Sequence, residues 1–281
     1  MKRFQACITS PLRVLALLLL AGVSEPALAG VVIDSVLEDP RLGGNAKMRM
    51  EVEGDLLRID PPGAADDRVD TSMIFDGKRD LMIVLDHKDK TAMEIDQAFM
   101  QEMMTRLAAA QKQLEAQLAH MPPEQQKMMR EMMTQRGAGG FLGGPTPKPE
   151  PGLRLKPTGQ TRTIEGRDCA VSQLERGDKP VGEACIASFS TLGITRSDLA
   201  ALSDMAAFQQ RLAEKFRNPG VPNVSGDLEL FRSLTGLPLE VVRRDGTTES
   251  RTRIVKIEKT ELPAARFEVP ADYSKRDMAK P

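Results

Sequence analysis

Two cysteines at the ends of one short segment limit how this part of the chain can fold. Cys169 and Cys185 flank a turn signal, "RGDK", and lie equally far from Gly177 within it. A hairpin centred on Gly177 would place the two cysteines directly opposite each other on antiparallel strands, at a separation close to that of a disulfide. The segment therefore predicts a hairpin closed by a Cys169–Cys185 disulfide. A redox-active pair is the alternative, but such pairs usually sit two residues apart at the start of a helix.

The front of the chain has the pattern of a secretory signal peptide. Basic residues precede an apolar run over 14–23, and Ala27-Leu28-Ala29 is a small-x-small cleavage pattern before Gly30. The apolar run is shorter than the about 20 residues that cross a bilayer. We expect residues 1–29 to be removed and the mature chain to be periplasmic, with no transmembrane segment. In that oxidising compartment a disulfide is the expected state of the two remaining cysteines.

Charge and motifs argue against several functional classes. Removal of residues 1–29 leaves 36 basic and 39 acidic side chains, so the sequence has no electrostatic feature that would favour nucleic acid. No nucleophile elbow, phosphate-binding loop or dinucleotide fingerprint is present. His87, in a predicted turn where we expect it to be solvated, and His120, at a helix end, have no partner at metal-ligand spacing. We therefore expect a protein that is not an enzyme and that has no cofactor.

The periodicity of the apolar residues predicts an α+β fold in which two stretches of chain build one sheet. Alternating residues over 30–95 predict the N-terminal part of an antiparallel sheet, and helical spacing over 96–136 predicts a methionine-rich helical insertion. A glycine- and proline-rich linker follows over 137–152. Residues 153–281 are then expected to hold the C-terminal part of the same sheet, together with helices.

Methionine is concentrated in and just before the predicted helical insertion: nine of the sixteen methionines lie between Met93 and Met133. Thioethers suit Cu(I), so a weak copper site is conceivable; its ligands would be Met128, Met129, Met132 and Met133. Packing is the simpler interpretation, because methionine forms helices well and fills irregular apolar space. A methionine-rich surface that binds a partner lies between these two interpretations.

Several segments together resemble an uncharacterised family of bacterial exported proteins, known only as a domain of unknown function. The segments are "TIEGRDCAVSQL", "GLPLEVV", "IVKIEK", the ending "FEVPADY" and the helical "MPPEQQKMMREMM". That family is in turn similar to the periplasmic lipoprotein carriers of the Lol type. The resemblance implies a curved, mostly antiparallel, half-barrel-like sheet with covering helices. It also implies binding of something lipid-like or of another protein.

Our first functional hypothesis is a periplasmic, chaperone-like binding protein whose sheet has an apolar concave face covered by the methionine-rich helices. The residues expected on that face are Met48, Met50, Val52, Met73, Phe75, Ile83 and Leu85. Its ligand would be lipid-like or an exported protein. The alternative is an interaction module that docks a partner with the methionine-rich helices, and a Cu(I)-binding protein is a lesser alternative.

Overall fold

We describe the protein from a computed structural model, which covers residues 29–42, 44–61, 69–135, 151–215 and 235–276. Residues 1–28 of the predicted signal peptide, residues 137–150 of the predicted linker and the methionine side chain at position 133 lie outside the described residues. No helix in the described part is long and apolar enough to cross a bilayer.

Twelve strands of the described chain form one sheet. They are Gly30–Asp39 (β1), Gly44–Glu53 (β2), Leu56–Asp60 (β3), Thr71–Asp76 (β4), Leu81–Asp86 (β5), Thr91–Ile95 (β6), Leu153–Ile164 (β7), Arg167–Arg176 (β8), Lys179–Ser188 (β9), Gly236–Asp245 (β10), Thr248–Thr260 (β11) and Ser274–Lys275 (β12). The α-helices are Gln97–Ala119 (α1), Pro123–Gln135 (α2) and Ala200–Lys215 (α3).

The sheet joins the two stretches of chain at its middle, where β1 pairs with β2 on one side and with β11 on the other. Its order is β12-β6-β5-β4-β3-β2-β1-β11-β10-β9-β8-β7, so β7 is one edge and the short β12 covers the other. All pairs are antiparallel except β12 with β6. The expected class is therefore confirmed as a mostly antiparallel, curved, open sheet with a few helices.

Helices α1 and α2 lie in the connection from β6 to β7, the strands near the two opposite edges of the sheet. Asp96 caps α1 as its sequence pattern predicts, because its carboxylate accepts a hydrogen bond from the backbone N–H of Phe99 at 2.8 Å. Pro123 begins α2, at a position where its missing N–H costs nothing. That this segment is an insertion into the sheet domain stays a prediction.

The β8–β9 hairpin confirms the disulfide but not the register expected for it. Cys169 and Cys185 are bonded, with their Cα atoms 5.3 Å apart. Val171, and not Cys169, is the residue directly opposite Cys185. The hairpin turns at Gly177-Asp178 and is not centred on Gly177, and a β-bulge between Leu174 and Glu175 shifts the pairing by one further residue. The bulge uses Gly182, whose φ of 158° and close approach to a neighbouring carbonyl exclude a Cβ. The disulfide therefore links diagonal neighbours on one buried face.

Each face of the N-terminal half of the sheet is covered by a different element. On the first face, which we call the helix-covered face, buried residues of β1–β5 pack with the disulfide and with Leu199, Ala201, Met205 and Phe208 of α3 and the turn before it. On the opposite face, residues of β4–β6 pack under Phe267 and its neighbours from residues 262–276, which we call the C-terminal strap. Both faces are therefore covered by the chain itself.

Candidate functional site

The seven residues predicted to form one apolar face lie on two faces of the sheet. Phe75 pairs with Met82, whereas Ile83 pairs with Ile74 and Leu85 pairs with Ser72. Met50, Val52, Met73 and Phe75 accordingly belong to the helix-covered face, and Ile83 and Leu85 pack under the C-terminal strap. The prediction of a single apolar face is therefore corrected. Strand β5 is apolar at every position from 81 to 85, so alternation alone does not distinguish its two faces.

Met48 stands apart from the other six. It lines a hollow of about 580 Å³ that borders β1, β2 and β11, with Val36 and Val255 contributing apolar surface and Arg266 of the strap on one wall. The ion pair between Arg49 and Asp34, with a shortest distance of 2.9 Å, also lines it. This hollow is mixed in character, and it is not the apolar face that the sequence suggested.

Helix α3 covers the predicted ligand face. The rings of Phe75 and Phe208 lie 5.5 Å apart between centroids, and both side chains are buried. Two ion pairs hold the helix region in place: Arg211 with Asp80, and Lys259 with Asp198 at 2.7 Å. The side chains of this face are therefore occupied by packing against α3.

The carboxyl of Asp198 is held in its charged form by this anchoring. Burial by itself would raise its pKa, but hydrogen bonds from the Lys259 ammonium and from Thr195 outweigh burial and lower the pKa below its usual value. The ionised carboxylate thereby remains available to Lys259 over the neutral pH range.

The methionines of α1 and α2 divide into buried and exposed groups. Met100 is buried near the start of α1. Five large apolar side chains in the described part of the chain are exposed, and three of them are the helix methionines Met104 (39 %), Met128 (69 %) and Met132 (42 %). We call these three side chains the methionine surface. Met128 and Met132 lie one turn apart on α2, whereas Met129, on a different face, is partly buried.

A buried polar network that the sequence did not reveal lies beneath the C-terminal strap. Ser72, which is 1 % exposed, is within 2.6 Å of both the Asp60 carboxylate and His87 Nε2. Arg58 donates to Ser72 Oγ at 2.7 Å and to Asp60 at 2.8 Å. His87 Nδ1 in turn lies 2.6 Å from the hydroxyl of Tyr273.

The hydrogen-bond inventory of this network determines the tautomer of His87. Ser72 has one proton, which it gives to the Asp60 carboxylate, and its oxygen accepts from Arg58. The Nε2 of His87 must therefore be the donor to Ser72, and Nδ1 must accept from the hydroxyl of Tyr273. A neutral imidazole satisfies both contacts. Burial, followed by the nearby Arg58 guanidinium, also lowers the pKa of His87 below its usual value.

Arg266 ties the strap to the same network. Its guanidinium donates to buried Glu51 at 2.7 Å and to Asp60 at 3.2 Å, and its backbone carbonyl accepts from Arg58 at 3.0 Å. His87 is thus not the solvated turn histidine expected from its position. The ending "FEVPADY" supplies Phe267 and Tyr273 and was noted for the family resemblance, but no periodicity within it indicates where it packs.

The Ser72–His87 contact differs from a nucleophilic triad in two respects. The serine proton is directed to Asp60 and not to the histidine, and His87 is oriented by a phenol where a triad has a carboxylate. Ser72 is also buried beneath the strap. The arrangement links three strands, the turn after β5 and the strap by hydrogen bonds.

A second charged network lies in the C-terminal half of the sheet, around buried Glu240. Its carboxylate accepts from Arg162 of β7 at 3.0 Å and from Arg251 of β11 at 3.1 Å. Arg253 is also close to Glu240, at 3.6 Å, and donates to Glu38 of β1 at 3.3 Å. These contacts neutralise a buried charge and connect strands across the sheet.

No cluster of three or more His, Cys, Asp or Glu side chains within the described ranges is arranged to hold a metal ion. Of the four methionines considered for Cu(I), Met128 and Met132 share the exposed side of α2, and Met129 lies about 100° around the helix from Met128.

The chain belongs to the family described as Domain of unknown function (DUF4412), whose model matches residues 124–273, more than half of the sequence. The resemblance drawn from the sequence segments is thereby confirmed for that family. No curated protein matches the chain.

Solved structures similar to this chain share little sequence with it. A structure of PNGF-II is 10 % identical with a TM-score of 0.36, covering 89 % of this chain and 31 % of that one. A chain of the Pseudomonas aeruginosa MucA/MucB complex is 8 % identical with a TM-score of 0.36, covering 88 % and 57 %. MucB in complex with MucA(peri) is 10 % identical with a TM-score of 0.35, covering 88 % and 56 %. The chain thus spans less than two thirds of each of these structures.

Proposed function

We propose that this protein is an exported, non-enzymatic interaction module that docks a protein partner through the methionine surface of α1 and α2. The proposal is carried by the position of the apolar side chains that remain exposed. Both faces of the N-terminal half of the sheet are covered by α3 and the strap, while three of the five exposed large apolar side chains among the described residues lie on α1 and α2. Two of these side chains, Met128 and Met132, lie one turn apart on α2, and neighbouring exposed apolar groups are typical of interaction sites.

Methionine suits this role physically. Its thioether is polarisable and its side chain is unbranched, so a methionine surface adapts to partners of different shape. Export is supported by the disulfide, because such bonds persist mainly in oxidising compartments. A lipid-like ligand is a weaker alternative, because side chains of α3 fill the face on which it was expected to bind.

Site-specific photo-cross-linking in the native compartment tests the proposal. A photoreactive residue at position 128 should give a distinct adduct with another exported protein, and excess unlabelled protein should suppress it. The matched control carries the same residue in place of Val255, which is exposed but lies on the sheet. Equal adducts at both positions, or none at position 128, would contradict docking through the helices.

A further inference from the structure

We infer that the C-terminal strap is a pH-sensitive clasp, whose last part leaves the sheet when His87 takes up a proton. We call this part, residues 268–276, the strap tail. The inference goes beyond the proposed function, because it does not involve the methionine surface. It is carried by hydrogen-bond geometry that directs the proton-accepting nitrogen of His87 at Tyr273 of the strap tail.

The strap has a firmly packed anchor and a lightly held tail. Phe267 is buried, and Arg266 donates to the buried carboxylates of Glu51 and Asp60. Every residue of the strap tail is exposed or half-buried, and its strand β12 pairs with β6 through two residues. The strap tail can therefore leave the sheet while the anchor stays in place.

The contact between His87 and Tyr273 holds the strap tail more firmly than its exposed ion pairs do. Those pairs are Lys90 with Asp272 at 2.8 Å and Lys275 with Glu94 at 2.6 Å. Exposed pairs of this kind add little stability. The rings of His87 and Tyr273 are half-buried and meet edge to face, with 5.9 Å between their centroids. The protonation state of His87 therefore determines how firmly the strap tail is held.

A proton taken up by His87 must enter this contact. Nε2 already carries the hydrogen that it donates to Ser72, because the serine proton goes to Asp60 and the serine oxygen accepts from Arg58. The free lone pair of the neutral ring is on Nδ1, which accepts from the hydroxyl of Tyr273 at 2.6 Å. Protonation of Nδ1 turns this acceptor into a donor and ends the hydrogen bond that Tyr273 donates.

The charged groups near His87 give an imidazolium little support. Two are cations, Arg58 of β3 and Arg266 of the anchor, and two are anions, Asp60 and Asp86. Asp60 already accepts hydrogen bonds from a serine and from both guanidiniums. Asp86 accepts from the backbone N–H groups of the two residues that follow His87. Both carboxylates are thus engaged, and an imidazolium at this position needs water to stabilise it.

Linkage between protonation and opening gives the direction of the change. Burial, followed by Arg58, lowers the pKa of His87 while the strap tail covers it. Departure of the strap tail admits water to the ring, so the open form binds the proton more readily. The opening equilibrium therefore rises as the pH falls below the ordinary histidine value of about 6.5, and the effect saturates below the lowered pKa of the closed form. One proton limits the rise to about tenfold per pH unit.

Release of the strap tail changes the surface of the molecule. Val269 and Tyr273 of the strap tail pack against the apolar cluster that includes Ile83 and Leu85. Strand β12 covers the edge of β6. Near neutral pH the clasp thus keeps apolar side chains and a strand edge from contact with other chains.

Tyrosine fluorescence follows the strap tail directly. Tyr273 is the single tyrosine of the chain, which has no tryptophan. The mature chain with its disulfide intact is quenched with acrylamide at a series of pH values between about 7.5 and 5. We expect the quenching constant to rise about twofold as the half-buried phenol becomes fully exposed.

Hydrogen exchange distinguishes release of the strap tail from unfolding of the sheet. The amides of Ser274 and Arg276 donate to the carbonyls of Lys90 and Ala92 at 2.9 and 2.8 Å. Their protection, corrected for the intrinsic pH dependence of exchange, should fall by up to about tenfold per pH unit. The amides of β1 and β2 should remain protected over the same pH range.

Three variants test the assignment to His87. In His87→Asn, the pH dependence of both signals should disappear, whereas His120→Asn, at an exposed helix end, should retain it. The variant Lys275→Ala removes an exposed ion pair of the strap tail and should leave the midpoint pH unchanged.

Three outcomes would overturn the inference. In the first, neither the quenching constant nor the protection of the strap tail changes with pH in the wild type. In the second, the pH dependence persists in His87→Asn and belongs to another group. In the third, β1 and β2 lose protection together with the strap tail, so acid unfolds the sheet and no separate clasp exists. None of these outcomes bears on the methionine surface, which the cross-linking experiment tests.

Discussion

The imidazole of His87 and the phenol of Tyr273 lie 2.6 Å apart, although 186 residues separate them in the chain. This contact connects the turn after β5 to the C-terminal strap. The strap covers the face of the sheet opposite to the one covered by α3. It continues through Ser72 to Asp60 and Arg58. A polar network therefore helps to hold the last described residues of the chain on the first half of the sheet.

Replacement of Tyr273 by phenylalanine should destabilise the protein by about 1 kcal/mol, because Nδ1 of His87 then loses its only donor in the described network. Urea unfolding measures the change. The control is Lys90→Ala, which removes an exposed ion pair with Asp272 and should leave the unfolding midpoint unchanged. A Tyr273→Phe protein as stable as the wild type would show that the phenol packs on the strap without contributing a hydrogen bond.

His87 should make stability depend on pH below neutrality. Its pKa is lowered in the folded protein by burial and by Arg58, so the unfolded state binds the proton more readily. The stability that neutral His87 contributes is therefore complete above the pKa of histidine in the unfolded state, about 6.5. It is lost as the pH falls through the lowered pKa of the folded state. Unfolding by urea at a series of pH values between about 7.5 and 5 measures the loss.

Two variants test the assignment of that pH dependence. In His87→Asn, the part of the pH dependence of the unfolding free energy that arises from this histidine should disappear. The variant His120→Asn, at an exposed helix end, should retain the wild-type pH dependence. If both variants retain it, carboxylates and not His87 dominate the pH dependence.

Removal of the disulfide by Cys169→Ala/Cys185→Ala should cost about 3 kcal/mol, as expected for a loop of this size in the chain-entropy model. Denaturant unfolding of the variant should agree with that of the wild type unfolded in the presence of reductant. A midpoint that does not move in either experiment would mean that the buried bond contributes little beyond its packing.

The packing of α3 on the sheet predicts that Phe208→Ala costs about 3 to 5 kcal/mol, because a buried ring in contact with Phe75 is replaced by a cavity. Met128→Ala removes an exposed side chain and should change stability by less than about 0.5 kcal/mol. If Phe208→Ala is equally mild, the helix-covered face is not a packed core, and its use as a ligand surface would regain support.

Copper should bind weakly if at all. Among the described side chains, one turn of α2 brings two exposed thioethers, Met128 and Met132, to the same side, whereas a Cu(I) site of soft ligands needs more of them to converge. Competition with a colorimetric Cu(I) chelator measures the affinity of the mature chain, with Met128→Gln/Met132→Gln as the control. Stoichiometric binding that this variant loses would instead establish a copper site.

Local patterns in the sequence determined much of this fold. The turn signals and the alternation of apolar residues gave most of the strands, because hairpins are formed by neighbours in the chain. Asp96 and Pro123 marked the starts of α1 and α2 through capping chemistry that acts within one turn. The cysteine pair indicated its own disulfide, since the two residues lie within one hairpin.

Tertiary structure decided which face each apolar residue covers and what covers it. Strand β5 is apolar at consecutive positions, so only its pairing with β4 separates Met82 from Ile83. The register that offsets Cys169 from Cys185 is set by the turn and by a bulge beside Gly182, whose backbone lies against Val242 of β10. The packing of α3 on the sheet and the contact of His87 with Tyr273 join residues far apart in the chain. Such contacts leave no periodic signal in the sequence, because their free energy arises only when the whole sheet has formed.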